Sequence, residues 1–262
     1  MTPGDHAEPA ARRPLTPHDL SCLEQLPDAA LSPDGRRLAY VRMRPRRTAA
    51  FHKHDFLSGG DRCDVWLVDT AGGAPENLTR GAEDGSGHWA PRWSPDGKRL
   101  ALLSTRGADV QAWVCDVGSQ TLHRLCARAV DLGFHSSPML WVSDEEILLA
   151  TLPEDERSGW MTVEIRAAEI AMREWTKAWK GLESTASVLD SGTAEPFDQR
   201  PQGALMLVDA ATGVERTVMS GLFRDLRLAP DGRHVAFFRQ VDLRRPHADG
   251  KLQRLGERVA RL

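Results

Sequence analysis

Few side chains in this 262-residue chain are spaced for chemistry. His52-Lys53-His54-Asp55 sets two imidazoles on one side of an extended segment and could hold a metal, though a solvated loop explains it more simply. Arg42, Arg44, Arg46 and Arg47 could grip phosphate, but no aromatic residues interleave them, and a solvated loop is again the plainer reading. Asp144-Glu145-Glu146 is an acidic run at a turn position, where such residues are ordinary. No serine lies in G-x-S-x-G, the turn that exposes a hydrolase nucleophile; the nearest, Gly85-Ser86-Gly87, has the wrong spacing. Neither a G-x-x-x-x-G-K-[ST] loop nor a G-x-G-x-x-G after a strand is present. The sequence therefore nominates no catalytic, cofactor-binding or metal-binding residue, and no cofactor is expected.

Composition narrows the classes. Lys and Arg number 34 and Asp and Glu 37, a net charge of −3 that offers nothing in bulk to a polyanion, so no nucleic-acid partner is expected. No stretch approaches the roughly 20 apolar residues of a membrane span, and Met1 to Leu20 lacks a signal-peptide core. Cys22, Cys63, Cys115 and Cys126 show no C-x-x-C spacing and read as free thiols of a cytoplasmic protein. The 22 Gly and 16 Pro point to a turn-rich fold of short elements.

What would position any site is a repeat. Leu31-Ser32-Pro33-Asp34-Gly35-Arg36-Arg37-Leu38-Ala39, Trp93-Ser94-Pro95-Asp96-Gly97-Lys98-Arg99-Leu100-Ala101 and Leu228-Ala229-Pro230-Asp231-Gly232-Arg233-His234-Val235-Ala236 align without gaps. Trp141-Val142-Ser143-Asp144-Glu145-Glu146-Ile147 is a weaker copy without its Pro and Gly. Pro presets φ for the first corner, Asp bonds the backbone two residues on, and Gly accepts the positive φ that closes the turn. An alternating apolar run follows, so each copy predicts a hairpin. A second hairpin follows three of them, at Asp64–Thr79, Ala112–Leu125 and Ala204–Val218.

Two hairpins in tandem make a four-stranded antiparallel meander, and repeating it every 40 to 60 residues or so predicts an all-β chain, a β-propeller. Blade one spans about Pro27 to Thr79, blade two His88 to Cys126 and blade three Ser137 to Ser220; blade four starts at Leu222 and shows two strands to Val241. The propeller is thus incomplete, about three and a half blades over 27–241, behind an extension at 1–26 and before a polar tail at 242–262 whose Leu252, Leu255, Val259 and Leu262 fall at helical spacing. The Trp or Leu before each turn is expected to face the neighbouring blade. Blade three carries an insertion at 153–202 with one helix, its stripe being Ile165, Ala168, Met172, Trp175 and Trp179. Packing of Trp175 and Trp179 on the propeller rim is expected, with a lid or subunit contact as the alternative.

These turns, with the segments "VWLVDTAGGAPENLT" and "QAWVCDV", resemble the TolB-type propeller repeat. Leu15-Thr16-Pro17-His18-Asp19-Leu20 just before the first turn, and Lys177–Gly181 with Thr185–Gly192, resemble prolyl-oligopeptidase-family serine peptidases of the dipeptidyl- and acylaminoacyl-peptidase kind, over about residues 15 to 241. The resemblance implies a substrate-gating propeller whose partners are a C-terminal α/β-hydrolase domain of the same parent protein and peptide substrates. That domain would supply Ser, Asp and His, so this chain alone is expected to be inactive. Some dipeptidyl peptidases hold a substrate's amino terminus with an acidic pair, but Asp144-Glu145-Glu146 lies in a different setting. A stand-alone interaction scaffold is the alternative, and a homo-oligomer is compatible with either.

Overall fold

The computed structural model describes residues 13–48, 59–107, 109–132, 137–158, 171–182 and 203–239, with the backbone alone of 240 and 259–261. Their strands form four antiparallel sheets, each built in chain order. The first holds β1 (Ala29–Leu31), β2 (Arg37–Met43), β3 (Cys63–Asp69) and β4 (Glu76–Asn77). The second holds β5 (His88–Trp93), β6 (Arg99–Ser104), β7 (Gln111–Asp116) and β8 (Thr121–Arg124). The third holds β9 (Met139–Trp141), β10 (Glu146–Thr151), β11 (Ala204–Asp209) and β12 (Glu215–Ser220). The fourth holds β13 (Leu222–Leu228), β14 (Val235–Gln240) and β15 (Val259–Arg261). The sheets are the blades of an incomplete β-propeller, with β1, β5, β9 and β13 in a row along its inner side and, among the described residues, no closure into a ring. Strand β15 lies within the residues read from sequence as a polar tail with helical spacing; three residues are too few to show a period of two.

The repeated turns fold as their residues dictate. Ser32 Oγ donates to Asp34 Oδ1 at 2.6 Å and accepts from the Arg37 amide at 2.9 Å, while Asp34 Oδ1 also takes the Arg36 amide. Ser94 and Asp96 repeat this with Lys98 and Arg99. Ala229 cannot, and Asp231 alone holds the third turn through the Arg233 and His234 amides. Gly35, Gly97 and Gly232 have φ of +70°, +69° and +66°. In the weak copy Ser143 Oγ takes over, accepting from the Glu145 and Glu146 amides. A second aspartate device closes the outer hairpins: Asp69, Asp116 and Asp209 each accept amides two or three residues on.

Burial along the second strands reports what covers each sheet. Strand β10 is buried throughout after its first residue, and β6 is buried at every position after Arg99, so both faces of sheets two and three are covered. Strand β2 alternates: Ala39, Val41 and Met43 are buried against sheet two, while Leu38, Tyr40 and Arg42 face an outer flank that is only half covered. Leu31, on that flank, is 57% exposed.

The expectation that the apolar residue before each turn faces its neighbour holds for the two tryptophans, whereas Leu31 is largely exposed. Trp93 Nε1 donates to the Ala30 carbonyl of sheet one at 2.9 Å, and Trp141 Nε1 donates to the Arg92 carbonyl of sheet two at 2.9 Å. Arg37 lies over the Trp93 ring and Arg99 over the Trp141 ring, at 5.6 and 5.8 Å from the ring centres. Apolar clusters fill the junctions, the largest joining Leu103, Val114, Met139, Ile147, Leu149 and Val208 between sheets two and three. A fully buried leucine or isoleucine contributes roughly 1.5–3 kcal/mol each.

The two ends of the propeller differ. The Ser-Pro-Asp-Gly turns sit side by side at one end, where Gly97 approaches the Pro33 ring. The connections at the other end are mostly long, running through 44–62, 105–110, 152–203 and 241–258. At position 97 a valine would be forced into the left-handed region, at a cost of about 1–3 kcal/mol. Gly97→Val is therefore expected to lower the thermal midpoint; an unchanged midpoint would mean that the turn does not need its glycine.

Candidate functional site

The residues nominated from sequence do not converge. His52 to Asp55 and Thr185 to Gly192 lie outside the described residues. The four arginines divide. Arg42 forms a two-pronged pair with Glu24 and lies over the Trp66 ring. Arg44 is drawn inward, donating to the carbonyls of Arg62, Asp61 and Ser86. Only Arg46 and Arg47 stay exposed, on a one-turn helix, so the solvated-loop reading fails for the first two. Asp144 and Glu145 are exposed turn residues, Glu146 is exposed at the start of β10, and the Asp144 carbonyl accepts from Arg99. Ser86 is buried and its hydroxyl donates to Asp84.

The Leu15–Leu20 segment forms a short, exposed helix with its own N-terminal cap. Helix α1 (Pro17–Ser21) opens on a capping box in which Thr16 Oγ1 accepts from the Asp19 amide and Asp19 Oδ2 accepts from the Thr16 amide. Arg13 beside Asp19 holds that carboxyl well below the usual range. Helix α2 is described at 171–179; Ile165 and Ala168 of its stripe lie outside the described residues, and the other three are exposed, Met172 63%, Trp175 65% and Trp179 93%. Rim packing is therefore corrected. Period alone shows that a helix has an apolar face, and not that anything covers it.

All four cysteines are free thiols. Burial pushes Cys63 up to about 12 and Cys115 and Cys126 up to about 11, which keeps them protonated and unreactive. Cys22 is half-buried, 3.6 Å from His18 Nε2.

Two arrangements were invisible in the sequence. The first is an open cleft of about 460 Å³ where the inner strands meet, walled by Leu31 and Pro33, Trp93 and Pro95, Met139 and Trp141, and Leu226 from four different sheets. Its volume suits a small apolar group. Arg92 is its one charged lining residue among the described residues, and it pairs with Asp28 at 3.1 Å.

The second is a polar knot at the long-loop end of the junction between sheets one and two. Asp64 is buried, accepts from the Gly81 amide at 2.6 Å and faces Arg44 at 3.4 Å. Burial outweighs that arginine and raises the carboxyl above its ordinary range. Arg106 bonds Asp84 at 2.7 Å. His88 is fully buried on the row His88–Ser104–Gln111, and neither ring nitrogen has a partner among the described residues. Burial first, then Arg106 and Arg44 against the opposing Asp84, lower it to about 3. Adjacent Gly87 is wedged so tightly that a Cβ there would collide with the Gly60 carbonyl oxygen and the Asp61 backbone. Among the described residues no group of three or more His, Cys, Asp or Glu could hold a metal. The knot fastens sheet one to sheet two through Arg44 on the Ser86 carbonyl and Arg106 on the Thr79 carbonyl.

No family model matches the chain. A Bacillus subtilis (strain 168) protein named uncharacterized peptidase YuxL is 24% identical over 246 residues, covering 89% of this chain and 33% of its own length. Dipeptidyl-peptidase 5 of Porphyromonas gingivalis is 30% identical over 97 residues, 37% of this chain and 12% of that one. The curated relatives are peptidases. This agrees with the resemblance carried by the turns and the opening segment, and the chain spans a third or less of their length. Among solved structures, an acylaminoacyl peptidase bound to a chloromethyl ketone aligns with 92% of this chain and 34% of its own, at 13% identity and TM-score 0.47. The propeller domain of the trilobed protease from Pyrococcus furiosus aligns with 82% of this chain and 50% of its own, at 13% identity and TM-score 0.44. No helix among the described residues is long and apolar enough to cross a membrane.

Two outcomes are expected from the knot. Because the folded state keeps His88 neutral while the unfolded chain protonates it near pH 6.5, stability falls as pH drops below that value. The slope from one such group is about 1.4 kcal/mol per pH unit. Asp64, whose carboxyl burial raises above its ordinary range, acts in the opposite sense. His88→Leu should flatten the melting temperature between about pH 6.5 and about pH 4.5, above the range of ordinary carboxylates; an unchanged slope would show that the ring titrates freely. Gly87→Ala should cost about 1–3 kcal/mol or more through its backbone clash, read in denaturant melts, and a neutral result would contradict the wedge.

Proposed function

We propose that this chain is the substrate-gating propeller portion of a serine peptidase of the prolyl-oligopeptidase type, with peptide hydrolysis performed by an α/β-hydrolase domain outside it. The observation that carries this reading is the match of nearly the whole chain to one third of a peptidase. The sequence holds no G-x-S-x-G segment, which is consistent with hydrolysis being performed outside it. In this reading the apolar inner cleft selects what passes along the propeller, and the polypeptide works in the cytoplasm.

Two measurements test it. The purified chain should not hydrolyse chromogenic dipeptide or acyl-amino-acid substrates; turnover abolished by a serine-directed inhibitor would overturn the division of labour. The reading frame beyond the Leu262 codon should continue through further turn repeats to a G-x-S-x-G segment. A stop codon there, with no hydrolase frame nearby, would instead favour an interaction scaffold.

A further inference from the structure

The three junctions between sheets are not built alike. Junction one–two has the Trp93 indole bond and the Arg37 stack, and adds Arg92 to Asp28, Gln120 to Glu76 and Arg44 to the Ser86 carbonyl. Junction two–three has the Trp141 indole bond and the Arg99 stack, and adds Arg99 to the Asp144 carbonyl, His123 with the Ala210 carbonyl, and Arg128 to Glu215. At junction three–four the tryptophan position is Leu228 and the stacking-arginine position is Glu146, so both halves of the device are missing together. Leu148, Ala150, Leu205, Phe223 and Leu226 fill this junction, with Phe237 edge-on to Phe223. Among the described residues its side-chain hydrogen bonding reduces to Arg239 on the Ser220 carbonyl, at the chain link itself.

Apolar contacts attract without fixing direction, whereas an indole donating to one carbonyl fixes both distance and orientation. We infer that the third and fourth sheets meet at a compliant joint, and that the fourth sheet swings as a unit on the Ser220–Gly221 link while sheets one to three move as one body. Gly221, at φ +138°, gives that link a conformation few other residues adopt. The consequence is local and specific. Leu226 of β13 is the fourth sheet's wall of the inner cleft, so an outward swing widens the cleft and leaves Trp93 and Trp141 in place. The inference rests on the gating reading only for its purpose, because the joint itself is a property of the sheet contacts.

Amide hydrogen exchange on the intact chain, without substrate, tests the joint separately from the gating. Strands β13 and β14 should exchange together, roughly tenfold or more faster than β6 and β10. Strand β2 is the control. Sheet one also has an uncovered flank, so if β2 exchanges as fast as β14, simple fraying of terminal sheets replaces the joint. Glu146→Arg with Leu228→Trp supplies the missing device, the new indole facing the Leu140 carbonyl as Trp141 faces that of Arg92. It should slow β13 and β14 by about tenfold and leave β6 unchanged. Arg99→Ala with Trp141→Leu should make sheets three and four open together. Uniform exchange in the native chain, or a folded Glu146→Arg, Leu228→Trp double variant that exchanges no more slowly, would overturn the inference.

Discussion

The structure depends on a donor aimed across a seam. A sheet with two apolar faces cannot stand in water, so each blade must find a neighbour, and burial alone would let neighbours slide. The Trp93 and Trp141 indoles remove that freedom. Each reaches from the end of one inner strand to a single carbonyl of the preceding inner strand. Each ring is then roofed by an arginine from the sheet it reaches, so one residue serves as wedge, donor and cation platform. The apolar clusters, the cleft and the polar knot all inherit their geometry from this spacing.

The knot shows what such a seam can tolerate. Arg44, Asp64, Asp84, His88 and Arg106 bring five ionisable groups to one end of the interface between sheets one and two. Chain carbonyls and amides satisfy much of the network, and His88 stays uncharged. The groups face one another, and Gly87 and Gly81 let the backbone approach closely around them.

What could be read in the sequence was what is decided locally. The Ser-Pro-Asp-Gly turns announce themselves because their hydrogen bonds span five residues or fewer. The alternation that follows them gives the sheets, and even the half-covered flank of sheet one is written in Tyr40 and Arg42, where β6 has Leu102 and Ser104. The pairing of Arg37 with Trp93, or of Arg44 with Ser86, depends on how two sheets are set against each other, and no spacing reveals it. His88 looked like any strand residue for the same reason. Helix α2 was visible through its period, while the exposure of Trp179 depended on a neighbour the period cannot name. The joint falls between these cases. That position 228 lacks a tryptophan and position 146 an arginine is plain in the repeat, and its meaning appears only once the two positions are known to correspond to a touching pair.

The long connections all leave from the end opposite the turns. Each departs from a second strand and returns on the adjacent third strand, about 4.8 Å away, so its anchor points are fixed however much chain lies between them. Lengthening such a loop adds only a slowly growing closure entropy and leaves the indole contacts undisturbed. The molecule thus has one end where length is rationed and one where it is free. Descent within such a fold can therefore be written almost wholly as additions to one rim, and relatives will differ most in bulk where they differ least in framework.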